Sequence, residues 1–211
     1  MTERISFSEE DLDILTEVSN IGMGKAGCSL AEALGCLVTL NVPEIKVIES
    51  SELSELSNKV TQEFNEINLV RQSFSGHLNG ESIILIGKTA YLIKDLLGYE
   101  ESEELTRSKQ MELLLDISNA ITSACLQEIA KQLSLEMSLS PPKVVCFEQP
   151  ATMFYSFLFG NTQPKWEQAL FVKVQFHLKD RDFSTKMFVF FSQNSLENIK
   201  NAVHRLMEAS W

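Results

Sequence analysis

One arrangement of residues occurs twice in this chain and constrains its fold more than any other feature. It reads acid, three residues, acid, two residues, Asn, and much later Pro. The first copy is Asp13, Glu17, Asn20 and Pro43, and the second is Glu112, Asp116, Asn119 and Pro142. Asn20 to Pro43 and Asn119 to Pro142 span the same interval of 23 residues, and the copies are 99 positions apart. An acid and an Asn at i and i+3 on a helix project from one face, one turn apart. The repetition implies a chain built from two related halves.

Each half reads as helix, about three strands, helix. Ser8 resembles an N-cap, with Glu9, Glu10 and Asp11 in the first turn, where the helix dipole favours acids. Ile14, Leu15, Val18, Ile21, Leu30 and Leu34 follow at helical spacing, which predicts a helix from about Glu9 to Leu34, closed by Gly35. Gly22, Gly24 and Gly27 lie inside it, each costing about 1 kcal/mol against Ala, so close approach of another backbone is the compensation to look for. Pro43 marks a strand end, edge or bulge in Leu37–Glu49, and Ser50–Ser57 reads as a polar loop. Two strands joined around Asn79-Gly80 follow, then a short helix over Thr89–Gly98.

The second half repeats the order. A charged linker precedes a helix from about Lys109 to Leu135, then Pro141-Pro142 and VVCFE. The runs TMFYSFLFG, ALFVKVQFHL and TKMFVFFS read as strands, with a turn at Lys179–Asp182 and a terminal amphipathic helix over SLENIKNAVHRLM. Hairpin-joined strands make an antiparallel sheet. The expected fold is α+β, a pseudo-two-fold duplication with a largely antiparallel sheet shared by two halves and the two long signature helices packed on one face. Residues 1–211 form one domain of two repeats, about 8–98 and 107–209.

Charge and cysteine usage narrow the function. A formal net charge of −11 leaves no basic stripe to track phosphates, which argues against a nucleic-acid partner. No apolar run is long enough to span a bilayer, and the acidic N-terminus lacks the apolar core of a signal peptide, so the expectation is a cytoplasmic protein without a membrane role. Cys28, Cys36, Cys125 and Cys146 form no Cys-x-x-Cys pair, and His77, His177 and His204 share no metal-ligand spacing with them. Cys28 and Cys125 read as buried free thiols in the two signature helices. GMGKAG (22–27) lacks the Walker spacing and lies inside a helix, not after a strand.

The run Asp13-x3-Glu17-x2-Asn20-Ile-Gly-Met-Gly-Lys-Ala, with Pro43 set 23 residues after the Asn, resembles the signature of the CheC-type chemotaxis phosphatases, the CheC/CheX/FliY group. Glu112-x3-Asp116-x2-Asn119 with Pro142 looks like the second copy that many members carry, and FSGHLNGESIILIG resembles the family's Gly-rich hairpin. The resemblance covers essentially the whole chain. It implies dephosphorylation of the phospho-aspartate of a CheY-type response regulator. Asn20 and Asn119 would orient the attacking water, and Glu17 and Asp116 would pair with the regulator's active-site Lys. The Mg2+ would be held by the regulator, with no cofactor or metal bound by this chain. Family relatives associate with a CheD-type deamidase, which is a further candidate partner. The alternative is a non-catalytic module that binds phospho-receivers, or an adaptor in a chemotaxis or flagellar switch complex.

Two positions qualify what the resemblance implies. Asp116 stands where the signature has Glu, shortening the reach by about 1.3 Å, when errors near 1 Å can cost ~100-fold in rate. Gly24 continues the stripe of residues 13, 17 and 20, and either leaves that face bare for a partner or packs against the second long helix.

Overall fold

A computed structural model of the chain describes residues 5–34, 38–41, 43–87, 106–160, 168–178 and 184–209. The first long helix, α1, spans Glu9–Leu34. A reciprocal cap starts it: the Asp11 carboxylate accepts from the Ser8 N–H at 2.9 Å, and the Ser8 hydroxyl accepts from the Asp11 N–H at 3.1 Å. The strands β1 (Val38–Leu40) and β2 (Glu44–Glu49) follow, with Pro43 immediately before β2. A 3-10 turn at Ser50–Glu52 leads into α2 (Leu53–Glu63), then β3 (Glu66–Gly76) and β4 (Gly80–Ile86).

The second repeat follows the same order from its long helix to its fourth strand and then ends in a further helix. It comprises α3 (Arg107–Gln132), β5 (Met137–Leu139), β6 (Lys143–Pro150), a 3-10 turn at Ala151–Met153, α4 (Phe154–Phe159), β7 (Gln168–Leu178), β8 (Ser184–Phe191) and α5 (Gln193–Ala209). Pro142 immediately precedes β6, as Pro43 precedes β2.

The eight strands form one sheet in the order β1-β7-β8-β4-β3-β5, with β2 also pairing β7 and β6 also pairing β3. Each of these pairings is antiparallel. Exchanging every strand for its counterpart in the other repeat returns the same order reversed. The axis of the duplication therefore runs between β4 and β8, and each repeat lends two strands to the other's edge. The register makes positions equivalent: Val70 faces Val144 and Val172 faces Ile45. Because Pro142 stands to Val144 as Pro43 stands to Ile45, Val70 and Val172 are counterparts.

Strand side chains alternate between two buried layers, as a period of two requires. Val70, Phe74, Ile84, Ile86, Val172, Met187 and Val189 pack beneath α1, α3 and α5. Ile67, Leu69, Ile83, Leu85, Phe171, Phe188 and Phe190 pack on the opposite face with Leu53 and Val60 of α2 and Phe154 and Leu158 of α4. The two long helices share one face, as the sequence predicts. Gly22 is their contact: a β-carbon there would lie 3.3 Å from the Ile129 backbone nitrogen and 3.5 Å from the Glu128 carbonyl carbon.

The structure corrects three sequence expectations. Ser50–Ser57 is a 3-10 turn and the start of α2, because Leu53 and Val60, one heptad apart, bury one side of an otherwise polar segment. TMFYSFLFG is helical and not a strand, since Phe154 and Leu158 enter the core from the same helix face. Cys28 is exposed, whereas Cys125 is buried as expected. At the β3–β4 hairpin the positive φ falls on Gly76, at 136°. Gly80 has a different reason to lack a side chain: a β-carbon there would lie 2.1 Å from the Phe190 carbonyl oxygen of the adjoining strand. Gly35, the Thr89–Gly98 helix, the Lys179–Asp182 turn and most of the charged linker lie outside the described residues.

Candidate functional site

The outer stripe of α1 follows from helical geometry. Burying Leu15, Val18, Met23 and Ala26 against the sheet leaves positions 13, 17, 20, 21, 24 and 28 on the far side. Asp13, Glu17, Gly24 and Cys28 are exposed there, and Asn20 is partly exposed. Ile21, beside Asn20, is 42% exposed. A β-carbon on Gly24 would meet nothing within 4 Å. The small residue that packs against α3 is thus Gly22, and Gly24 leaves the stripe bare.

Among the described residues, neither Glu17 nor Asn20 has a hydrogen bond or ion pair. The nearest ion pair along the stripe is Lys25 to Glu128 of α3, at 3.6 Å. One helical turn separates a free carboxylate from a free carboxamide, so their Cβ atoms stand about 5–6 Å apart. The carboxylate can anchor a cation, and the amide can donate to and accept from one water.

The α1 stripe is held in place from its N-terminal end. His204 Nε2 of α5 lies 3.2 Å from the Asp11 carboxylate, and Lys200 Nζ donates to the Ser6 carbonyl at 2.8 Å. Burial raises the Asp11 pKa, but the Ser8 backbone and hydroxyl, with His204 and Lys200, outweigh it and hold the carboxyl below its ordinary value.

On α3, Glu112, Asp116 and Asn119 are exposed, but the second Asn is not free. Its Oδ1 accepts from Gln72 Nε2 of β3 at 2.9 Å, with the Ser123 hydroxyl 3.5 Å away. Gln72 is 2% exposed and also donates to the Ser140 carbonyl at 2.8 Å. Beneath the same helix, the Ser82 and Thr122 hydroxyls lie 3.3 Å apart. The β-register gives the counterpart of Gln72 as Val174, and those of Ser82 and Thr122 as Met187 and Met23. The seam under α3 is polar where the seam under α1 is apolar.

No family model matches the chain. Its structure is similar to that of Thermotoga maritima FliY, with a TM-score of 0.65 at 19% identity over 95% of this chain and 99% of that one. It is also similar to the FliM middle domain from H. pylori, with a TM-score of 0.57 at 12% identity over 93% and 99% of the two chains. For the chemotaxis protein CheX from Desulfovibrio desulfuricans the TM-score is 0.51, at 11% identity over 82% and 99%. The fold is that of the CheC/CheX/FliY family.

In this CheC-like fold the signature residues fall on two helix faces. A cavity of about 290 Å³ lies elsewhere, lined by Arg71, Glu81, Leu158, Phe159 and Phe190. Among the described residues no three His, Cys, Asp or Glu side chains converge to hold a metal ion, and no helix is long and apolar enough to cross a membrane. Sequence reasoning missed Gln72. Its signal was an amide set between Val70 and Phe74, both buried, at an inward position of β3.

Proposed function

We propose that the chain is a phosphatase that accelerates hydrolysis of the phospho-aspartate of a CheY-type response regulator. Asn20 orients the attacking water, and Glu17 pairs with the regulator's Lys. Asp116 and Asn119 occupy the corresponding positions in the second repeat. The Mg2+ belongs to the regulator. One observation carries this reading: among the described residues Glu17 and Asn20 have no partner, and they stand one turn apart on a helix stripe beside an exposed Ile21 and a bare Gly24.

The chemistry asks little more of the protein. An acyl phosphate is already reactive, so its transfer to water needs an in-line nucleophile and charge compensation, not a covalent relay. A carboxamide fixes a water without titrating. The Glu17 carboxylate supplies a charge-assisted anchor for the regulator's Lys. Association with a CheD-type deamidase is a further partner that this reading allows.

A second reading is a binding module that docks on a phospho-receiver or within a switch complex without catalysis. The likeness to FliM middle domains favours it, one of which, from H. pylori, was crystallised in complex with SpeE and has a TM-score of 0.59 at 13% identity over 95% of this chain. Another was crystallised with FliG. The deciding experiment follows the decay of an acetyl-phosphate-labelled CheY-type receiver with and without the protein. Faster decay that disappears in Asn20→Ala supports the phosphatase. Phosphorylation-dependent binding with an unchanged lifetime supports the module.

A further inference from the structure

The orientation of the Asn119 carboxamide is fixed by the groups behind it. An Asn or Gln amide can be turned either way unless its partners decide, and here a backbone carbonyl does. The Ser140 carbonyl can only accept, and it lies 2.8 Å from the outer end of Gln72, so that end carries the NH2 group. The second hydrogen of the same NH2 points at Asn119 over 2.9 Å, which requires the Asn119 carbonyl oxygen there. The Ser123 hydroxyl, one turn further along α3, faces that same oxygen.

The relay is anchored to the sheet. The Ser140 N–H and hydroxyl both donate to the Ser73 carbonyl, at 2.9 and 3.0 Å, and the Ser73 N–H donates to the Ser140 hydroxyl at 3.1 Å. With its oxygen drawn toward a buried donor, Asn119 turns its N–H groups to the exposed side. Val174, the counterpart of Gln72, has no polar side-chain atom, and among the described residues neither end of the Asn20 amide has a partner.

We propose that Gln72 is a positioning residue that makes the second site donor-only: Asn119 binds the phosphoryl oxygens of the regulator through its N–H groups, and hydrolysis is left to Asn20. This inference rests on the phosphatase reading given above. Attack on phosphorus needs a lone pair of the water aimed at it, which an acceptor achieves by taking one of the water's hydrogens. A donor alone takes up one of the water's two lone pairs and draws electron density from the nucleophile, and it suits an anionic phosphoryl oxygen instead. In the step that Asn20 serves, the water oxygen bonds to phosphorus. The phosphorus–oxygen bond to the regulator's Asp breaks, its electron pair returning to the carboxylate, and the proton leaves to bulk water.

The test uses the full chain and the near-isosteric Gln72→Met, which removes donor and acceptor together. Its first arm reads the Asn119 side-chain NH2 by 15N relaxation, without any regulator. The order parameter of that group should fall in Gln72→Met while backbone values stay unchanged, and an unchanged value overturns the positioning role. The second arm measures steady-state dephosphorylation of an acetyl-phosphate-labelled CheY-type receiver. Gln72→Met should leave kcat within about twofold. In the Asn20→Ala background it should weaken binding of a beryllofluoride-activated receiver by about 3- to 10-fold, because a site that binds without turnover reports in binding and not in KM.

A fall in kcat matching that of Asn20→Ala overturns the division of roles. In the Asn20→Ala chain, where the second site stands alone, decay should match that of the receiver by itself. Acceleration there likewise overturns it. A wild-type chain that leaves the receiver's lifetime untouched defeats the phosphatase reading and the division of roles together. The relaxation arm then still decides whether Gln72 orients Asn119.

Discussion

The backbone nitrogen of Ile129 lies 3.3 Å from the place a β-carbon on Gly22 would take, whereas two residues along, Gly24 faces open space. The two positions should answer substitution in opposite ways. Gly22→Leu drives a side chain into the backbone of α3 and should cost about 1–3 kcal/mol or more. Gly24→Ala places a methyl in solvent on a helix and should stabilise by up to about 1 kcal/mol. Urea denaturation of the two variants measures both.

Asn20→Ala should slow receiver dephosphorylation by about 10²-fold or more, the size of effect seen when one transition-state hydrogen-bonding group is removed. Its partly exposed side chain has no partner among the described residues, so stability should change by no more than about 0.5 kcal/mol. Glu17→Gln keeps the shape and removes the anchor charge. It should raise KM more than it lowers kcat, and the loss should shrink at high salt, where the wild-type attraction is already screened.

The Asp11 cap makes acid stability predictable in sign. Its folded pKa lies below the ordinary value, so the stability it contributes is complete above the unfolded pKa of about 4 and is lost as pH falls through the lower, folded value. Asp11→Asn should therefore be less stable than wild type near neutral pH, by about 0.3–1 kcal/mol, the worth of a negative charge in a helix's first turn. The difference should narrow only in the most acidic part of an acid titration. Chemical denaturation repeated at several pH values checks this.

The thiols should divide by exposure. Burial pushes the Cys146 thiol up to about 11 and Cys125 higher still, so neither offers thiolate at neutral pH. Cys28 is exposed on the α1 stripe. In a Cys36→Ser background, DTNB should titrate one thiol in the native protein and all the remaining ones in guanidinium. Under the proposed function, a receiver docked on α1 should slow the native reaction.

Much of this architecture was legible because it is local. The α1 cap, its helical periodicity and the paired Asn-to-Pro intervals need no knowledge of the sheet, and α1 begins and ends where the periodicity predicts. The two short helices on the far face were not legible, for different reasons. The serines and glutamates of Ser50–Ser57 hide a sparse apolar face of Leu53 and Leu56. The aromatic-rich run Phe154–Phe159, broken only by Ser156, carries no clear period, so strand and helix fit it equally. At the site, the outward Glu17 and Asn20 follow from spacing on one helix. The grip of Gln72 on Asn119 joins residues 47 positions apart, and only the register of β3 beneath α3 brings them together.

The exchange of β1 and β2 onto β7, and of β5 and β6 onto β3, has an ancestral consequence. A solitary repeat would present a raw hydrogen-bonding margin to water, which identical neighbours could cure only by lending strands to each other. Such a chain is complete as a twin before it is complete alone. Fusing the twins releases them from sameness, so one helix could come to rest on methionine and valine while the other acquired a glutamine underneath.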